Sequence, residues 1–230
     1  NADDRFSTPL NTKNIAIGHK SLYGSDVPSN NTGQYNIAIG PLSMYNNTSG
    51  DDNTALGYST LNDNTEGIGN IAMGKNTMRY NTIGYQNIAI GYETFLNSKG
   101  ISRNIAIGAF AMWKSDNTAS QVETYNTAIG YMALGGSSNP QNNTGDENIA
   151  IGKYSMNNYT SAYNNVALGN NSLEDISTGY RNTTIGWRAG DNITTGSTNT
   201  FIGSNSDANA NDISRSIAIG SGVVVDADRK

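Results

Sequence analysis

The sequence predicts an all-β chain, a parallel β-solenoid of about twelve 17-residue coils, and three observations carry that prediction. A pentapeptide, Asn–β-branched–Ala–aliphatic–Gly, starts at Asn14, Asn36, Asn53, Asn70, Asn87, Asn104, Asn126, Asn148, Asn165, Asn182 and Asn199, with a last copy at Ser216. The starts lie 17 or 22 residues apart, the mark of a repeat architecture. With the Asn as position zero, +1 is Ile, Thr or Val and +3 is Ile, Leu or Met in all twelve copies, a pattern that favours strand over helix. Position +4 is Gly in every copy, from Gly18 to Gly220, as expected where the backbone takes a positive φ or passes a neighbour too closely for a Cβ.

The elements follow in order. Residues Asn1 to Lys13 lack the pattern and read as a cap or an arm. In each coil a short strand comes first, with +1 and +3 on one face and +2 on the other. After the Gly turn, a second apolar position falls four residues on, at Leu22, Met44, Leu61, Met78, Phe95, Met112, Leu134, Met156 and Leu173. A polar turn closes the coil, as in Asn47-Thr48-Ser49-Gly50 and Asn143-Thr144-Gly145, where side chains can bond to the backbone. Coils stacked about 4.8 Å apart make a rod roughly 55 Å long. In such a stack the position-zero Asn either forms a hydrogen-bonded ladder or serves as a turn former.

Three copies carry five extra residues, all between the second apolar position and the polar turn, near 24–29, 114–122 and 135–141. Insertions on one face of a solenoid mark a candidate binding edge, although a longer surface loop also costs little by itself. Toward the end, the second apolar position becomes Gly190 and then Asp207, and Phe201 replaces the +2 Ala, which reads as tapering or capping. The repeat domain spans residues 14 to 220, and Val223-Val224-Val225 within 221–230 reads as a final strand or a lead into a stalk.

A coil with about three large apolar side chains does little against an ordering cost of about 1–2 kcal/mol per residue. Ala fills +2 in ten of twelve copies, where a water-facing strand would accept longer residues. That choice suggests a side-by-side oligomer, with one strand face inside the coil and the other near a shared axis; the alternative is that Ala suits a tight one-chain coil. The packing residues, whichever face meets which, include Ile15, Ile17, Ala38, Ile88, Ala89, Ile90, Ile149 and Ile151.

Composition removes several chemistries. Leu, Ile, Val and Phe make up only 41 of 230 residues, yet a net charge of −5 is too small to argue for disorder. No Cys is present, which excludes disulfides, thiolate catalysis and Cys-type zinc sites. Fourteen Lys plus Arg against nineteen acidic residues speak against a nucleic-acid partner. No run approaches 18 apolar residues, so no membrane insertion is expected of this chain, and it starts without a charged-plus-apolar leader, as a fragment or mature product would. The single His19 occupies a slot that elsewhere holds Pro41, Tyr58, Lys75 and Trp187, which is no basis for a catalytic triad. Acidic residues such as Asp51, Asp52, Glu66, Asp146, Glu147, Glu174 and Asp175 fall in polar turns without singling out a glycosidase pair. The expectation is no enzyme, no cofactor and no metal. An ice-binding face would need Thr in one register on every coil, and Thr48, Thr65 and Thr82 lose that register later.

The NIAIG and NTAIG repeats, each followed by a short polar turn, resemble the YadA-like head repeats of trimeric autotransporter adhesins. Segments such as NNTGDENIAIG and TTGSTNTFIG are also similar to repeats in phage tail fibres, and the resemblance covers residues 14 to 220. It implies a left-handed parallel β-roll, a homotrimer, and an extracellular role in attachment on a bacterial cell surface or phage tail fibre. A 17-residue repeat is longer than the usual head repeat, which leaves adhesin head and fibre shaft both open. The function expected is multivalent binding of a glycan or surface protein on a target cell; the alternatives are a shaft without a ligand and, third, a polysaccharide-cleaving tailspike. Trp113, Tyr125 and Tyr131 flank the second and third insertions and are candidate sugar platforms. Asn117 and Asn139, inside those insertions, complete the candidate ligand-binding set.

Overall fold

The computed structural model describes residues 13–27, 30–115 and 120–226. The chain is all-β, a parallel β-solenoid of about eleven turns, with no α-helix among the described residues. It divides into two compact units: the first runs to Ala109 and takes in 120–123, and the second holds Phe110–Ser115 and the chain from Thr124 onward.

In the first unit, β1 (Ile15–Ile17), β2 (Ile37–Ile39), β3 (Thr54–Leu56), β4 (Ile71–Met73), β5 (Ile88–Ile90) and β7 (Ile105–Ile107) form parallel neighbours in that order. A short side pair joins β6 (Ile101–Ser102) to β8 (Val122–Glu123), also in parallel. The second unit repeats the arrangement with β9 (Thr127–Ile129), β10 (Ile149–Ile151), β11 (Val166–Leu168), β12 (Thr183–Ile185), β13 (Thr200–Ile202) and β15 (Ile217–Ile219). Its side pair is β14 (Asp207–Ala208) with β16 (Val224–Val225), the final strand among the described residues. The register never slips: each pentapeptide position pairs with its own equivalent, Ile71 with Ile88, Ala72 with Ala89 and Met73 with Ile90. A one-residue slip would turn Ala out and Ile in, which fixes the register.

The +2 alanines point into the coil. Ala38, Ala55, Ala72, Ala89, Ala106, Ala128, Ala150, Ala167 and Ala218 are fully buried, beside the equally buried Met44, Leu61, Met78, Phe95, Met112, Leu134, Met156 and Leu173. The small side chain is therefore accounted for within one chain, and the inference from Ala to a second chain's backbone is corrected. The exposed side chains of these strands are the +1 and +3 aliphatics, with Ile17 58%, Ile71 39%, Ile151 38% and Ile219 66% exposed. Of the packing residues named from the sequence, Ala38 and Ala89 belong to the core, whereas Ile15, Ile17, Ile149 and Ile151 lie on the exposed strand face, and Ile88 and Ile90 are half-buried there.

Polar ladders make up for the scarcity of large apolar residues. Asn53 Oδ1 accepts from Asn70 N at 2.9 Å and Asn70 Nδ2 at 3.1 Å, and Asn70 Nδ2 also donates to Gly84 O at 2.8 Å. The same rung recurs at Asn87 and Asn104 in the first unit and at Asn148, Asn165, Asn182 and Asn199 in the second. Ser216 ends the series, donating its backbone N–H to Asn199 Oδ1 at 3.0 Å. Each rung satisfies a buried backbone N–H that would otherwise be orphaned. The ladder thus goes beyond turn formation. A second ladder runs through Asn47, Asn64 and Asn81 at 2.8 and 2.9 Å. It stops at Ser98, whose shorter side chain leaves Asn81 Oδ1 and Ser98 Oγ buried and unpaired.

The substitutions at Gly190 and Phe201 prove to be one volume exchange. Phe201 is fully buried, and a Cβ on Gly190 would lie 3.2 Å from Phe201 Cδ2, 3.1 Å from Leu173 Cδ2 and 2.8 Å from Thr184 Cγ2. The ring from +2 fills the space that a Leu or Met takes in earlier coils, so the core layer keeps its volume. Asp207 then places a carboxyl where those coils have a hydrophobe. It is 8% exposed and accepts from Ala208 N at 2.8 Å and Asn192 N at 3.2 Å.

Burial pushes the Asp207 carboxyl up to about 6, against the opposing pull of those two amides. The native state therefore holds its proton more tightly than the unfolded chain, and this residue's contribution to stability falls as pH rises from about 4 to about 6. Asp207→Asn is expected to be close to neutral at pH 4 and stabilising by about 1–2 kcal/mol at pH 7.5, a figure reduced for the residue's contact with solvent. Urea midpoints of both proteins at the two pH values check this, and an equal difference at both would refute it.

Candidate functional site

The three insertions adopt two kinds of structure. In the first, Asn31 closes the loop: its Oδ1 accepts from Ser25 N at 2.7 Å and its Nδ2 donates to Ser25 O at 3.0 Å. The third is closed in the same way by Asn143, with Ser137 N on its Oδ1 at 3.0 Å and its Nδ2 on Ser137 O at 3.3 Å. The shared Gly-Ser start and Asn-Asn-Thr-Gly end of the two segments specify that closure (Gly24-Ser25 to Gly33, Gly136-Ser137 to Gly145). Asn139 caps the short 3-10 helix Pro140–Asn142, accepting from Gln141 N at 3.3 Å, so its side chain has a structural task within the loop.

The second insertion behaves differently. Its residues 120–122, with the adjoining Glu123, lie along the first unit through the β6–β8 pairing, and Gln121 Nε2 donates to Ile83 O at 3.4 Å. The Tyr85 hydroxyl donates to Glu123 Oε1, and Arg103 bridges Glu123 at 3.3 Å. Asn117 lies outside the described residues.

In the second unit the structure joins Trp113 and Tyr131 through Phe110, with ring centroids 5.6 and 5.8 Å apart and edge-to-face, and Tyr154 follows Tyr131 at 5.5 Å. Lys114 and Lys153 sit 5.1 and 4.9 Å from the Trp113 and Tyr154 ring centres. Edge-to-face packing is the ordinary geometry of aromatic pairs, so this row stabilises its turns whether or not it meets a sugar. Tyr125 precedes β9 and Tyr131 follows it, which puts the two tyrosines at opposite ends of the strand rather than on one platform. Phe110 and Tyr154 were not singled out from sequence; both fall two residues after a repeat Gly, and that column could have found them.

A concave feature lies elsewhere. In the first unit Glu66, Ile68, Ile83, Tyr85, Gln86 and Gln121 surround a notch of about 290 Å³. Glu66 and Ile83 are 17 residues apart, as are Ile68 and Tyr85, so each pair occupies one column on successive turns. In other coils those columns mostly hold polar or small residues such as Ser49, Asp51, Gly100 and Ser102, with Val122 a further apolar member of the first column and Tyr163 and Tyr180 of the second. Within the repeat domain Ile68, Ile83 and Tyr85 are three of six apolar departures in these columns, so the column pattern by itself does not single out the notch. No family model, no curated protein and no solved structure matches the chain.

Proposed function

We propose that this chain is the head of a non-enzymatic, trimeric extracellular fibre that attaches to a cell surface through repeated weak contacts with glycans. One observation carries the assembly: on each unit a regular strand face of Ile, Leu, Met, Val and Thr stands open, with side chains such as Ile15, Ile151 and Ile217 between about one-third and two-thirds exposed. A contiguous apolar strip on flat, parallel strands is an interaction surface rather than a solvent face. Three copies set side by side bury that strip around a shared axis, the arrangement implied by the resemblance to trimeric adhesin heads. Trivalency then raises the effective concentration at a surface, so modest affinity at each site suffices. The insertions supply irregular edges on an otherwise repeating surface, which is where recognition residues sit in repeat proteins.

Light scattering coupled to size exclusion tests the assembly. The expected mass is about three times 24.4 kDa. Ile149→Lys with Ile151→Lys is expected to give a single-copy mass with an unchanged circular dichroism spectrum, because both residues face outward. A wild-type monomer would overturn the shared-axis reading. A shaft without a ligand is the competing role, and glycan binding by the intact trimer distinguishes the two.

A further inference from the structure

The notch on the first unit rests on the attachment reading and gives it a location away from the aromatic row. Apolar residues recur in these two columns at Val122, Tyr163 and Tyr180, but Ile68, Ile83 and Tyr85 are the ones that line the concave feature. Ile68, 46% exposed, and the half-buried Ile83 and Tyr85 sit in the polar turn, outside the core that Ala and Met fill, so the fold does not need them to be apolar. They cluster on two adjacent turns beneath the one insertion that folds back along this unit, and Gln121 of that insertion closes the third side.

The walls are also fixed in advance. The Tyr85 hydroxyl is tied to Glu123, which Arg103 holds, and the Arg103 guanidinium lies 5.8 Å from the Tyr85 ring centre. Tyr85 N donates to Ser102 Oγ at 3.0 Å, which fastens its backbone to β6. A wall braced at ring, hydroxyl and backbone loses little freedom on binding, and that lowers the cost of association.

The lining combines an apolar wall with the Glu66 carboxylate and the Gln86 and Gln121 amides. An apolar face opposite a few oriented polar groups matches a pyranose, which has one face of C–H bonds and a rim of hydroxyls. The size, about 290 Å³, is at the small end of ligand pockets and suits a single ring. A carboxylate lines the notch and no Lys or Arg does, in a chain of net charge −5, which disfavours an acidic sugar. We propose that the notch formed by Glu66, Ile68, Ile83, Tyr85, Gln86 and Gln121 is a subsite for one neutral pyranose unit of a surface glycan.

Saturation-transfer NMR on the full chain tests this, with the methyl glycosides of glucose, galactose and mannose as neutral probes and glucuronate as the acidic one. At least one neutral glycoside should bind with millimolar affinity, at least tenfold more tightly than glucuronate. Gln86→Ala and Gln121→Ala together should weaken it at least fivefold, and Tyr85→Ala at least tenfold. Because Tyr85→Ala also cuts the tie to Glu123, the glutamine pair, both exposed side chains, is the deciding variant. Neutral binding that the glutamine pair leaves unchanged would place glycan recognition elsewhere and overturn the notch, while the attachment reading stands. Glucuronate bound as tightly as the neutral sugars would overturn the neutral assignment. No binding of any probe by a folded trimer would overturn both the notch and glycan attachment by this chain.

Discussion

Gly57→Ala is expected to cost at least about 4 kcal/mol, enough to unfold a chain of ordinary stability. Gly57 has φ +136°, and a Cβ built on it would lie 2.6 Å from Gly74 O, 2.8 Å from Gly74 C and 3.0 Å from Thr60 Oγ1. All three positions are pinned. Thr60 Oγ1 donates to Gly74 O at 2.5 Å, Gly57 N to Ile39 O at 2.8 Å and Gly74 N to Leu56 O at 2.8 Å. The obstacle is backbone, so no side chain can rotate away, and any shift breaks hydrogen bonds on both neighbouring turns. Gly69 is the control. Its φ is +66°, its would-be Cβ meets only Gln86 Cγ at 3.7 Å, and equivalent residues in other coils are Asp52 and Gln86, with φ 58° and 53°. Gly69→Asn is expected to change stability by less than about 1 kcal/mol. Urea unfolding followed by circular dichroism measures both, and similar losses at the two sites would refute the close-approach account.

Asn70→Asp is expected to lose more stability than Asn70→Ala at pH 7, and to recover part of it on acidification. Asn70 is fully buried; its Nδ2 donates to Asn53 Oδ1 and Gly84 O, while its Oδ1 accepts from Asn87 N at 3.0 Å and Asn87 Nδ2 at 3.1 Å. Alanine leaves Asn87 N without a partner and opens a small cavity, together costing about 3 kcal/mol. Aspartate keeps the acceptor for Asn87 but brings a charged oxygen against two others, with no donor to meet them and no water, which costs above about 4 kcal/mol. Burial raises the pKa of such a carboxyl, so the folded state gains relative to the unfolded chain as pH falls and the acid acquires a proton to donate. Aspartate forms turns as well as asparagine does, so equal stability of Asn70→Asp and wild type at pH 7 would mean that the residue acts only as a turn former.

These two residues also show how much was legible beforehand. Twelve pentapeptide copies, eleven begun by Asn and all ended by Gly, at spacings of 17 or 22 residues announced a stacked parallel architecture, because an in-register stack places like on like. The Gly column offered two reasons for its invariance, positive φ and close approach, and Gly57 satisfies both. Less legible was the direction of each strand face. A period of two separates Ala from Ile but carries no sign, and a chain poor in large hydrophobes made it tempting to assign the small residue to an interface. The candidate platform residues suffered from a similar gap. Position along the chain placed Tyr125 and Tyr131 near each other, while the short β9 sends them to opposite ends.

Sequence alone therefore determined the all-β class, the repeat length, the in-register stacking and the sites of insertion, all of which are periodic and local. Tertiary structure decided which face is core, that Gly190 and Phe201 exchange volume across adjacent turns, and that Gln121 reaches Ile83 to close a notch with residues 17 and 38 positions apart. Those outcomes depend on free volume and on contacts between turns, and a linear pattern does not encode either until the coils are stacked.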